Sequence, residues 1–226
     1  MMVGNARYSS ADDLPREIPV FPLSGALLLP RGQLPLNIFE PRYLAMVDHA
    51  MTTDRLIGMV QPRFDEGTVR PGSDPALCGV GCAGRITSLS ESGDGRYLIT
   101  LTGVARFRIV EEVRSGRLFR MCRIDGSGFA GDYLARAGEG DVDRPALLKA
   151  LEAFFEANNL EADWDSVNRT PTEALVNALS MMSPFGPPEK QALLEAPDLK
   201  TRADTLVAIT EIALARGKGG EAPPLQ

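Results

Sequence analysis

The 226 residues are 44% hydrophobic and 24% charged, which is enough for one large core or two small ones, and no apolar run is long enough to cross a bilayer. The formal charge of −6 is uneven: residues 1–130 carry fifteen Arg and fourteen acidic residues, whereas residues 131–226 carry five Arg, four Lys and sixteen acidic residues. The acidic second part argues against broad nucleic-acid affinity, and three cysteines without an apolar leader segment point to a reducing, cytoplasmic setting rather than a disulfide framework.

Residues 1–14 have no periodic pattern and are expected to be flexible. From 15 to 125 the chain has β character, with short apolar or alternating runs at 18–21, 33–39, 55–61, 77–89, 96–113 and 118–124. Tyr97, Ile99 and Leu101 alternate with Leu98 and Thr100, so both faces of that strand are largely apolar, as in a small barrel or sandwich. Ser92-Gly93-Asp94-Gly95 predicts a hairpin turn, and Pro41 opens the single helix expected in this part, 41–51.

Residues 126–143, with five glycines, are expected to form a linker. From 144 to 216 the pattern is helical. Leu147, Leu148, Leu151, Phe154 and Phe155 share one face behind an Asp143 cap. Further helices are predicted at 172–182, with Leu175, Val176, Leu179 and Met182 as its apolar stripe, at 188–194 and at about 199–215. Residues 217–226 are expected to be a disordered tail.

The motifs that carry chemistry elsewhere lack their context here. Gly79-Val80-Gly81-Cys82-Ala83-Gly84 has the G-x-G-x-x-G spacing of a dinucleotide site, but Arg85–Ser90 continues as a strand and not as the helix that would face a pyrophosphate. The glycines are therefore expected in a bent or closely packed strand. Cys78 and Cys82 would lie roughly 13 Å apart on one strand face, too far to share a metal ion. His49 has no nucleophile in a recognisable elbow, and Ser24-Gly25 lacks the G-x-S-x-G frame. The four lysines are expected at solvated positions. No catalytic residue, metal or cofactor is expected. Arg106-Phe107-Arg108, beside the run from Phe119 to Arg123, interleaves arginine with aromatics and offers an RNA-binding alternative, with Arg106 and Arg108 on one outward face.

One stretch is more specific. Ile18-Pro19-Val20-Phe21-Pro22-Leu23, then Leu28-Leu29-Pro30-Arg31-Gly32, then Leu34-Pro35-Leu36-Asn37-Ile38-Phe39-Glu40-Pro41-Arg42-Tyr43 resembles the opening of the LON substrate-binding domain of ATP-dependent Lon proteases. The likeness continues through Ile57-Gly58-Met59-Val60, Gly79-Val80-Gly81, Leu101-Thr102-Gly103 with Arg106-Phe107, and residues 191–199. It implies an α+β fold, a PUA-like β-barrel subdomain (15–125) followed by an α-helical bundle subdomain (144–216). It also implies a non-catalytic module for unfolded or degron-bearing polypeptides, acting with a protease or chaperone; no counterpart of the Lon ATPase or peptidase regions is seen in these residues. Phe39, Glu40, Arg42, Tyr43, Arg106 and Arg108 are the candidate binding residues.

Overall fold

In the computed structural model, which describes residues 1–63, 74–158 and 161–219, strands precede helices along the chain. They are β1 (Met2–Val3), β2 (Ala6–Arg7), β3 (Glu17–Pro22), β4 (Gln33–Ile38), α1 (Pro41–Met51), β5 (Leu56–Val60), β6 (Val80–Ser92), β7 (Arg96–Val113) and β8 (Arg120–Asp125), and then α2 (Arg144–Ala157), α3 (Trp164–Arg169), α4 (Thr172–Met182), α5 (Pro187–Glu195) and α6 (Leu199–Gly219). The class is α+β. The sheet is mixed, β3 running parallel to β5 and the other pairs antiparallel.

The order β4-β7-β6-β5-β3-β8, with β8 also paired to β7, joins five of these strands into a closed circuit. β7 makes this possible by changing partners. Its first half pairs with β4, and its last residues pair with β8. Register shifts at Ala83/Gly84, Ile86/Ser88 and Ile109/Glu111 mark bulges of the kind that bend a strand. The hairpin turn lies where expected, with Ser92 opposite Arg96 and Gly95 at φ +82°.

Both faces of β7 are buried over residues 103–107. At residues 97–101, where the two-sided apolar pattern predicts burial of both, Ile99 and Leu101 are buried while Leu98 on the other face is exposed. Inside the circuit, Ile18, Val20, Leu56, Val60, Phe107 and Ile124 form one cluster. On the other face, Leu28, Leu29, Ile57, Met59, Ile86 and Leu101 share a second cluster with Val176, Leu193 and Leu206 of the helices. Of the Gly79-x-Gly81 pair, Gly79 has open space around it and Gly81 lies against Phe107. A Cβ at Gly81 would stand 2.7 Å from its ring, and one at Gly58 would stand 2.8 Å away. These two glycines make room for a buried aromatic ring, as close strand packing requires.

The structure also departs from the sequence reading elsewhere along the chain. Residues 1–14 form a small hairpin and a turn that bury Val3, Tyr8 and Leu14 against the inner cluster. Segment 126–143 is not a free linker: it makes the helical turns Ser127–Tyr133 and Glu139–Asp141 and buries Phe129, Asp132 and Tyr133. The short helix α3, capped by Asp163, was not foreseen. Lys190 is buried and donates to the Met181 carbonyl, and burial lowers its pKa. The last helix extends to Gly219, and the rest of the expected tail lies outside the described residues.

All three cysteines are buried. Burial pushes the Cys82 thiol up strongly and Cys122 up to about 11, so neither supplies thiolate near neutrality. Native protein at pH 8 is expected to leave Cys82 and Cys122 unmodified by iodoacetamide, with full labelling in guanidinium chloride. Peptide mass mapping reads this directly, and rapid native labelling of either would contradict the packing described.

Candidate functional site

Helix α4 is apolar on two sides. Leu175, Val176 and Ser180 are buried, whereas Ala174 and Ala178 are exposed and Met182 is 82% exposed. Met182 was expected in the buried stripe; it lies at the helix end and turns outward instead. Pro171, Ala174, Ala178, Met181 and Met182 face the loop Pro30–Arg31–Gly32 across an open groove of about 370 Å³. Small alanines let another chain approach the helix closely, and the unbranched methionines can repack around varied side chains.

The loop opposite α4 is held firmly. Arg31 N donates to Gly103 O at 2.8 Å, and Gly103 N donates to Gly32 O at 2.9 Å. Arg31 adopts φ +67°, uncommon for a residue with a side chain. Its guanidinium donates to Asp132 O and pairs with Glu173 of α4, while Glu173 also accepts from Arg136 N. Arg136, on the groove's other wall, is likewise at positive φ, 63°. Two strained backbone positions therefore converge on one glutamate at the groove rim, an arrangement often found at ligand sites.

Beneath this rim lies a polar junction between the strands and the helices. Arg106 pairs with Asp132 through two nitrogens, Asp132 also accepts from Arg106 N at 2.9 Å, and both side chains are buried. Arg106 Nη1 reaches the Leu194 and Ala196 carbonyls at the end of α5, where a cation complements the helix dipole. Asn177 donates to Pro30 O and accepts from Arg202 Nη1 at 3.2 Å. Gln61 of the strand half donates to Pro187 O and to Gln191 Oε1 of α5.

The structure disperses the residues singled out from the sequence. Arg106 is inside the molecule and cannot face RNA; only Arg108 of that pair is exposed, lying 5.7 Å from the Phe129 ring. The reason is that strand alternation separates two faces without saying which is solvated, and here segment 127–133 and α5 cover the polar one. Tyr43 is buried against Phe21, with ring centroids 4.2 Å apart. Arg42 bridges Glu40 and Asp74 at the surface, and Phe39 is 61% exposed beneath the Arg96 guanidinium. This corner is at the Ile38 end of β4, whereas the groove is at the Gln33 end, about 17 Å along the strand. His49 stacks on Phe119 at 5.5 Å near Arg117, with its pKa lowered by burial and that charge, and among the described residues no nucleophile is hydrogen-bonded to its ring. No group of three or more metal-ligating side chains occurs among the described residues.

The residues that sequence reasoning missed are Arg31, Asp132, Met181 and Arg202. Arg202 carried a legible signal, since it lies three residues after Leu199 and four before Leu206, on the stripe that α6 buries.

This architecture and the sequence agree on a family. Residues 17–211 match the model of the ATP-dependent protease La (LON) substrate-binding domain. The chain belongs to that family. Lon protease 2 of Myxococcus xanthus is 32% identical over 194 residues, covering 84% of this chain and 23% of that protein. The N-terminal domain of the Mycobacterium avium complex Lon protease shares the fold with a TM-score of 0.64 at 18% identity, covering 86% of this chain and 98% of that one. A Lon N-terminal domain protein from Xanthomonas campestris does so with a TM-score of 0.58 at 21% identity, covering 85% and 97%. This LON domain spans a quarter or less of the length of the Lon proteases it matches. No helix among its described residues is long and apolar enough to cross a membrane.

Proposed function

We propose that this LON domain is a non-catalytic recognition module that takes segments of unfolded or degron-bearing polypeptide into the groove between α4 and the Pro30–Gly32 loop, and presents them to a protease or chaperone. The observation that carries this reading is the exposed apolar side of α4, which has methionines and alanines where a solvent-facing helix would have charges. β4 supports it as well. Among the described residues its backbone pairs with β7 alone, so an extended peptide entering the groove at Gln33 could continue along its outer edge, interrupted where Pro35 has no N–H.

Filling the groove tests this. Ala178 is exposed, so Ala178→Trp should leave the melting temperature within about 2 °C. Its affinity for a fluorescent, permanently unfolded polypeptide should fall at least about tenfold, a loss of roughly 1.4 kcal/mol. Phe39→Ala serves as the control at the other end of β4. Loss of binding in Phe39→Ala but not in Ala178→Trp would move the site to the Phe39–Tyr43 corner, and wild-type binding no stronger than that of a folded control protein would end the reading. The RNA alternative gains nothing from the structure, because burial of Arg106 leaves Arg108 alone on that face.

A further inference from the structure

Arg202 is the anomaly of the junction. It is 4% exposed, yet no carboxylate lies within ion-pairing distance of it among the described residues. Nε donates to Leu193 O at 2.9 Å and Nη1 to Asn177 Oδ1 at 3.2 Å, while Nη2 has no partner. Burial, and then the nearby Arg106 charge, push its pKa down to about 10. Buried charges are ordinarily paired, because an isolated ion in the interior loses its hydration without compensation.

A second unpartnered nitrogen belongs to the same place. Arg31 Nε is buried without a partner, and Arg31 and Arg202 both line a cavity of about 160 Å³ with Arg106, Asp132, Glu173 and Asp198. The carboxylates in this wall are already engaged: Asp132 by Arg106, Glu173 by Arg31, and Asp198 by Thr201 N at the start of α6. The three arginines and three carboxylates of the wall balance in formal charge. What remains is donor capacity on Arg202 Nη2 and Arg31 Nε, next to the first turn of a long helix, whose own N–H groups favour an anion. The cavity has room for several waters at roughly 30 Å³ each, or for one carboxylate with its first carbon atoms. It shares Pro30, Arg31 and Glu173 with the methionine-lined groove, so the two spaces adjoin at the Arg31–Glu173 pair.

We infer that Arg202 and Arg31 form a carboxylate-binding site in this cavity, served by the C-terminal carboxylate of a polypeptide whose last side chains lie in the adjoining groove, or by a free small carboxylate. The chain-end source rests on the polypeptide-binding reading above; the site itself does not. A terminal carboxylate would accept from Arg202 Nη2 and Arg31 Nε once the guanidinium groups turn toward the cavity, since both nitrogens are closed off where they stand. The apolar groove would select an apolar final residue.

The test is calorimetric titration of the full chain with an uncharged ten-residue peptide ending in leucine, as the free acid and as the carboxamide. Sodium acetate, at ionic strength held constant with chloride, is scored separately by thermal melting. The free acid is expected to bind at least tenfold more tightly than the amide. Arg202→Gln should abolish that difference while leaving the amide's affinity unchanged, and Arg202→Lys should restore part of it. If acid and amide bind alike but acetate raises the melting temperature of the wild type and not of Arg202→Gln, the site stands and its source is a free carboxylate. Binding of neither peptide form, with the acetate effect intact, would remove the polypeptide reading and leave the site. Equal binding of acid and amide together with no Arg202-dependent acetate effect would overturn the inference and assign the cavity to water. If Arg202→Gln does not fold, Arg202→Lys takes its place in both arms, with the acid-over-amide preference and the acetate effect each expected to shrink and an unchanged value of both overturning the inference.

Discussion

Replacing Asp132 by alanine is expected to lower the stability of this LON domain by about 3–5 kcal/mol, the usual cost of stripping the partner from a buried ion pair. Asp132 accepts from Arg106 N, Nε and Nη2, and it is almost wholly buried. For a chain of this size the melting temperature should fall on the order of 10 °C. Asp132→Asn keeps acceptor capacity and should lose less. The double variant Arg106→Met with Asp132→Ala should recover part of the loss, because no unpaired charge is left inside. Recovery should be incomplete, since Arg106 also satisfies the Leu194 and Ala196 carbonyls at the end of α5. A double variant no better than Asp132→Ala would show that the pair's charge is not what makes the single variant costly. Denaturant titration of the four proteins measures this.

Gly103→Ala should cost about 3 kcal/mol or more, a large effect for the addition of one methyl group. A Cβ at Gly103 would fall on the Leu29 carbonyl oxygen and stand 2.7 Å from its carbon, so relief requires backbone movement and not a change of rotamer. The displaced loop is the one that carries Arg31, which is bonded through its backbone to Gly103. Loss of polypeptide affinity should therefore accompany loss of stability. At Gly32, by contrast, an added Cβ would meet the end of the flexible Met181 side chain first, so Gly32→Ala should perturb the groove more than the fold. Melting curves with parallel binding isotherms separate the two, and a Gly103→Ala protein as stable as the wild type would refute the close approach.

Much of the strand half was legible because its signals are local. Proline and glycine punctuate the strands, Pro41 starts α1, and Ser92–Gly95 closes a hairpin whose second strand was bounded correctly at both ends. Phe107 was expected to point inward, and Gly58 and Gly81 lie against it. Several errors share one cause. Arg106, Asp132 and Lys190 are polar, so they were assigned to solvent or to a linker, yet each is buried where one element covers another.

The sequence by itself determined the α+β class, the family and the positions where backbone must approach backbone, since these depend on residue type and spacing along the chain. Only the tertiary structure decided which polar side chains are inside. Pairing of Arg106 with Asp132 joins positions 26 residues apart, and pairing of Arg31 with Glu173 joins positions 142 apart, and no local pattern encodes such a meeting. The groove, the junction beneath it and the unpaired Arg202 arise from that packing, because burial turns an ordinary surface charge into one that needs a partner.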